Sequence, residues 1–286
     1  MLTSASSSDI RVDPYLSTRV HYVGSRQKRP NLPVSGCPFC PGGLEAPEHY
    51  DVRWFTNRWP AMPGDRCEVV LYTPDHDATF PSLGPVGVGR VIDLWAERTA
   101  VLGARDDVEF VLVFENRGAE VGATIAHPHG QIYAFDHVPE RSLARLQAGW
   151  SPDPDPGARL VVELDGWRAI VPYSNPFPLA VSIAPIERRP DLLALSAAER
   201  QALAEVMVTV FDRLDRLFDQ PLPYMMWLNQ RPTVSAGFDQ AWFNIEIVSP
   251  WRSAGVQRFI AAAEVATGEF FNPVVPEELA QRLRSL

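Results

Sequence analysis

The sequence predicts an α+β fold in which an antiparallel sheet is formed from two similar halves with flanking helices, and two observations predict it. Short apolar runs of strand length are interrupted by two long helix-length stretches. The order strand, strand, helix, strand, strand also occurs twice, at a nearly constant offset of roughly 110 to 120 residues, as expected of an internal duplication. With 286 residues, 46% of them apolar and 21% charged, the chain can bury a full core.

In the first copy, Val52 to Phe55 and Cys67 to Tyr72 read as strands because β-branched, aromatic and apolar residues cluster there between turn signals. Val86 to Ala104 reads as the helix, Glu109 to Glu115 as a strongly apolar strand, and His127 to Phe135 as the closing strand. In the second copy, Trp167 to Val171 and Leu179 to Ala184 are strands. Ser196, followed by Glu199, makes a capping box that opens a helix running to about Phe218. Tyr224 to Asn229 and Trp242 to Val248 complete the unit. The loops echo each other too: Asn57-Arg58-Trp59-Pro60 returns as Asn175-Pro176-Phe177-Pro178, and Pro74 as Pro185. The expected organisation is a disordered N-terminus over residues 1–12, an N-terminal half over 13–150 and a C-terminal half over 151–286. Where the first copy carries His127 and His129, the second is expected to carry Asn244 and Glu246.

The net charge of −9 argues against a surface built to grip nucleic-acid phosphates, so a small ligand is expected and no nucleic acid. Lys28 is the only lysine, and the arginines that supply the other cations can bind phosphate oxygens bidentately. The Ser-rich start has no signal-peptide pattern, and no apolar run is long enough to cross a bilayer. A cytoplasmic protein without a membrane partner is expected.

In extended chain, His127, His129 and Gln131 share one face. Pro128 lacks a donor and Gly130 permits close approach to the backbone, which predicts a rim position for the segment. A neutral imidazole can attack phosphorus without first losing a proton, so His129 is the candidate nucleophile toward the α-phosphoryl group of a nucleotide. Gln131 is then placed to hydrogen-bond the phosphoryl oxygens.

Cys37-Pro38-Phe39-Cys40 has the spacing of half a zinc site, and a tetrahedral ion needs two further ligands. Of the six histidines, His76 and His127 are better placed to complete it than His21, His49 and His137, which read as loop or solvated positions. Unligated cysteines or a redox pair are the competing readings. The ion would be structural, zinc first and iron as the other occupant. Cys67 reads as buried filler.

These residues resemble the galactose-1-phosphate uridylyltransferase family, whose fold belongs to the histidine-triad superfamily. The resemblance runs from about Arg26 to Arg284. It is strongest over Phe114-Glu115-Asn116-Arg117-Gly118-Ala119, Val121-Gly122-Ala123-Thr124 and His127-Pro128-His129-Gly130-Gln131-Ile132-Tyr133. It implies a duplicated histidine-triad-like fold with His129 as the nucleotidylated nucleophile and Gln131 as the phosphoryl-binding glutamine. Asn116, Gly122 and Thr124 would line the phosphates, and Phe55 and Asn57 the uridine. Cys37, Cys40, His76 and His127 would bind zinc, while Arg26 and Arg29 would reach the sugar-phosphate site of the partner in a homodimer. The implied reaction is ping-pong: UDP-glucose uridylylates His129 and releases glucose 1-phosphate, then galactose 1-phosphate accepts the UMP.

The chain departs from the family's pattern at three places. Trp242-Phe243-Asn244-Ile245-Glu246 replaces a histidine-bearing strand, so the second metal site of some relatives is not expected. The tail from Glu264 to Pro273 is similar to a shorter bacterial branch, and Arg58 stands where many relatives carry an acidic residue. Two other activities fit the same core, a nucleoside-diphosphate-sugar phosphorylase and an adenylyltransferase. A zinc-knuckle binding protein is the reading from another class. A histidine-triad hydrolase fits less well, because Gln131 stands where a third histidine would aid release of the nucleotide.

Overall fold

The computed structural model of the chain describes residues 9–28, 36–234 and 237–286. Strands β1 (Asp9–Val12) and β2 (Arg19–Tyr22) form a hairpin. The first half of the main sheet comes from β3 (Arg53–Thr56), β4 (Cys67–Leu71), helix α1 (Phe80–Gly103), β5 (Phe110–Arg117) and β6 (His129–Phe135), followed by the short helix α2 (Glu140–Gln147). The second comes from β7 (Leu160–Leu164), β8 (Trp167–Ile170), β9 (Leu179–Pro185), α3 (Ala197–Arg216), β10 (Tyr224–Asn229) and β11 (Asn244–Ser249). A small ladder of β12 (Trp251–Ser253) and β13 (Val256–Gln257) leads to α4 (Ala262–Thr267) and α5 (Pro276–Arg284).

The main sheet has nine strands in the order β3-β4-β6-β5-β10-β11-β9-β8-β7, antiparallel throughout. Counted outward from the central β5 and β10, both sides run in the same chain order: β5, β6, β4, β3 and β10, β11, β9, β8. Helices α1 and α3 pack on each other over one face of this sheet. Their buried stripes, Val88, Ile92 and Trp95 on α1 and Leu203, Met207 and Phe211 on α3, make one core with Val113, Ile132, Met226 and Ile245 of the strands. Burial of that apolar area is the main favourable term holding the halves together.

The ladder register corrects the expected correspondence between the halves. Phe114 pairs with Trp227 at the centre, Gln131 pairs with Phe114 on one side, and Glu246 pairs with Trp227 on the other. Val69 and Ser182 continue the row outward. Glu246 is therefore the counterpart of Gln131, and Asn244 that of His129. Counting along the sequence shifted the pair by one pleat, because the loops before β6 and β11 differ in length.

Three other expectations change. Residues 1–8 lie outside the described residues, but Asp9–Val12, expected to be disordered, pairs with β2, and the turn between them is held by the Asp13 carboxylate accepting from the Tyr15 and Leu16 amides. Helix α1 begins at Phe80 instead of Val86. Thr79 and Ser82 form a reciprocal cap, then Gly84 at φ 63° breaks the helix before Pro85, so apolar periodicity resumes only beyond the break. Strand β6 lies between β4 and β5, inside the sheet and not at its rim. Pro128 precedes the first ladder residue, so its missing N–H costs nothing there. Gly130 faces the helix layer, where a β-carbon would stand 2.2 Å from Tyr72 Oη.

Candidate active site and metal centre

Four potential ligands converge at the start of β6. Cys37 and Cys40 come from a tight knuckle in which the Phe39 amide points at Cys37 Sγ (3.4 Å) and the Gly43 amide bonds the Cys40 carbonyl (2.8 Å). A β-carbon on Gly43 would stand 2.6 to 2.8 Å from the carbonyls of Cys37, Pro38 and Cys40, so the turn requires glycine. His76 comes from the loop after β4, and His127 lies just ahead of β6. One ligand atom from each of the four lies within 4.8 Å of the other three.

Cys40 Sγ is 3.5 Å from His76 Nδ1 and 3.6 Å from His127 Nδ1. Metal distances of about 2.3 Å for sulfur and about 2.0 Å for nitrogen place tetrahedral ligands at comparable separations, so these residues fit a metal ion. His127 is fully buried, and its Nε2 donates to the Thr73 carbonyl at 2.8 Å, which leaves Nδ1 turned to the cluster. Burial also lowers the His127 pKa and raises that of the Cys40 thiol. The imidazole is thus in its ligand form, whereas the sulfur needs a cation to ionise.

His129 lies two residues on. Its Nδ1 is 2.7 Å from the His127 carbonyl oxygen, which can only accept, so the ring proton is on Nδ1 and the neutral ring carries its lone pair on Nε2. Phe39, from between the two cysteines, packs against both rings, at 5.1 Å from His129 and 6.1 Å from His127, and against Phe55 at 5.7 Å. Sequence reasoning missed Phe39, because an apolar residue in a turn carries no periodic signal.

Gln131 follows on the same face of β6. Its Oε1 accepts from Asn57 Nδ2 and from Tyr133 Oη, each at 3.4 Å, which leaves the amide N–H groups as donors. Phe55 and Asn57 are thereby joined to the nucleophile strand, Phe55 through Phe39 and Asn57 through Gln131. Asn116, at the end of β5, borders a cleft of about 420 Å³ together with His127, Pro128, His129, Gly118 and Ile125. Gly122, at φ 86°, and Thr124 belong to the loop between β5 and β6 and do not line this cleft. Arg26 stands near Cys67, the far end of β4 from Leu71, which pairs with His129. Arg29 lies outside the described residues. The Arg58 cation pairs with Glu45 at 2.9 Å.

The equivalent place in the second half holds a closed polar cluster. Asn244 is fully buried; its Nδ2 donates to Ser182 Oγ (3.0 Å) and Glu246 Oε1 (2.7 Å), and its Oδ1 accepts from Arg145 (2.7 Å). Arg145 lies 3.6 Å from Glu246 and 3.5 Å over the Trp150 ring. Desolvation raises the Glu246 carboxyl and lowers Arg145 to about 10. Among these residues none can act as a neutral nitrogen nucleophile. No helix among the described residues is long and apolar enough to cross a membrane.

Comparison with known proteins gives consistent results. The family model described as galactose-1-phosphate uridyl transferase, N-terminal domain, matches residues 59–139, and that of the C-terminal domain matches residues 129–286. The galactose-1-phosphate uridylyltransferase of Thermotoga maritima is 36% identical, with 96% of this chain and 98% of that one covered. That of Streptomyces lividans is 33% identical over 99% of this chain and 88% of its own. Among solved structures, a uridylyltransferase superposes with a TM-score of 0.87 at 29% identity, covering 96% and 97% of the two chains. An ADP-glucose phosphorylase from Arabidopsis thaliana shares the fold, with a TM-score of 0.78 at 21% identity and coverage of 98% and 99%.

Proposed function

Because this chain belongs to the galactose-1-phosphate uridylyltransferase family, we propose that it transfers a uridylyl group between hexose 1-phosphates through a covalent adduct on His129. The observation that carries the mechanism is the 2.7 Å bond from His129 Nδ1–H to the His127 carbonyl, which fixes the tautomer with its lone pair on Nε2. That lone pair attacks the α-phosphorus of UDP-glucose, and the bond to the bridging oxygen breaks. Glucose 1-phosphate leaves with the electron pair. The ring keeps its Nδ1 proton, so the phosphoryl-imidazole is cationic, and the carbonyl acceptor stabilises it. An oxygen of galactose 1-phosphate then attacks the same phosphorus, and the P–N bond returns its electrons to Nε2.

The amide donors of Gln131 serve the phosphoryl oxygens, Asn116 borders the same cleft, and Gly122 and Thr124, from the loop that leads into β6, are assigned to the phosphates by family membership. Phe55 and Asn57 flank the nucleoside side. Holding phosphorus in line with Nε2 supplies much of the rate, roughly 7 to 11 kcal/mol when orientation is complete. Cys37, Cys40, His76 and His127 would hold zinc, with iron as the other candidate. The ion braces the knuckle and performs no step; Phe39 carries that bracing to His129.

We also read the chain as two histidine-triad-like halves, 13–150 and 151–286, supported by the mirrored strand order. We infer a cytoplasmic homodimer in which Arg26 and Arg29 serve the partner's cleft, as membership of the family implies. The test of function is the intact mass of the protein after exposure to UDP-glucose, ADP-glucose or a GDP-sugar, each alone. A gain of UMP on the parent and none on His129→Ala is expected. A gain of AMP would instead make it an adenylyltransferase or an ADP-sugar phosphorylase, and no gain with any donor would overturn the reading.

A further inference from the structure

Beneath the nucleophile strand, on the helix-covered face, lie three polar side chains that the reaction above does not use. Tyr72 is 3% exposed, Glu115 4% and Tyr224 1%. Tyr224 Oη donates to Glu115 Oε1 at 2.7 Å, while Glu115 Oε2 and Tyr72 Oη have no hydrogen-bond partner among the described residues. Burial pushes the Tyr72 phenol up, and the neighbouring Glu115 carboxyl adds to the rise. Polar groups left without a partner in a core are unfavourable, so a core that needed only volume would be better filled by apolar side chains.

The position of the Tyr72 hydroxyl gives the cost a purpose. A β-carbon on Gly130 would stand 2.2 Å from Tyr72 Oη and 3.1 Å from Tyr72 Cζ, so the phenol bears directly on the backbone between His129 and Gln131. Its ring cannot retreat, being packed between Phe80 at 5.4 Å and Trp95 at 5.8 Å. On the other side Glu115 is tied through Tyr224 to β10, and Arg117, bonded to Asp215 of α3 at 3.1 Å, lies over the Tyr224 ring. All three polar residues border the cleft that His129 borders.

We propose that Tyr72 and Glu115 are positioning residues for the nucleophile: with Tyr224 they form a polar strut that sets the Gly130 backbone and, through it, the aim of the adjacent His129. The role rests on the proposed covalent reaction. It acts on the geometry of attack and not on nucleotide binding, since the strut lies on the opposite face of β6 from the Gln131 and Asn57 side chains.

The test uses Tyr72→Phe and Glu115→Gln, both nearly isosteric. Read out are the single-turnover rate of adduct formation on His129, KM for the nucleotide sugar, bound metal per chain and Tm. Each variant is expected to form the adduct roughly tenfold more slowly, the scale of a small misplacement of reacting groups. KM and metal content should match the parent. Rates within twofold of the parent in both variants would overturn the strut while leaving the covalent mechanism intact, and so would a slowing matched by a proportional rise in KM or loss of metal. A parent that forms no adduct with any nucleotide sugar would instead overturn the mechanism itself.

Discussion

The ring of Phe39 stands 5.1 Å from the imidazole of His129 at an interplanar angle of 62°, so the turn that carries two metal-ligand candidates also supports the proposed nucleophile. An edge-on aromatic contact restricts the imidazole to one orientation without competing for its nitrogens. The candidate metal ligands and the His129 ring are thus linked twice, through the Phe39 side chain and through the His127 carbonyl.

Phe39→Leu keeps apolar volume in the knuckle but removes the flat surface. The expected outcome is roughly a tenfold loss of kcat with metal still bound. Steady-state kinetics alongside metal analysis checks this, and an unchanged kcat would show that the His127 carbonyl alone holds the ring.

Removing the metal should remove the support altogether. Structural zinc sites contribute on the order of 10 kcal/mol of binding free energy to folding, and only part of that is lost while the rest of the core holds. A chelator strong enough to strip the ion is expected to lower Tm and abolish nucleotidylation, with both restored by added zinc. Full labelling of protein shown to be metal-free would contradict the bracing role.

The buried Glu115 sets a pH dependence of stability. Desolvation raises its carboxyl from the ordinary range near 4.5 to about 7, so the folded state holds a proton that the unfolded state has released. Its contribution is present in full below pH 4.5 and is lost as pH rises through 7, by up to about 3 kcal/mol. Between pH 5 and pH 8, urea unfolding of Glu115→Gln should therefore gain stability relative to the parent. A difference that stays constant across that range would mean that Glu115 does not titrate there.

Much of the site was legible before the fold because its chemistry restricts residue types. Cys37 and Cys40 demand two more ligands, and among six histidines only a few stand next to a candidate strand; His129 and Gln131 follow from a two-residue period. The long strands and α3 were legible for a similar reason, since apolar runs and the Ser196–Glu199 box leave little choice. Strand β7 and helix α5 were not. Leu160–Leu164 sits at the sheet edge with mixed polarity, and Pro276–Arg284 buries only Leu279, Ala280 and Leu283. Phe39 and Tyr72 act through packing between segments distant in sequence, which no local pattern records. The same holds for register: only the ladder reveals that Glu246 answers Gln131 and not His129.

The second-half cluster gives a prediction about stability without function. Arg145 and Glu246 lie 3.6 Å apart in a desolvated setting, and Asn244 bonds both. Arg145→Met strands the Glu246 carboxylate in the interior, at a cost of roughly 3 to 5 kcal/mol. Adding Glu246→Gln removes the unpaired charge, so the double variant should recover most of that loss, as read by urea unfolding. Neither change touches β6 or the knuckle, and adduct formation by the double variant should match the parent's. If the double variant were as unstable as the single one, the stacking of Arg145 on Trp150 and its bond to Asn244, not its charge, would be what the core requires.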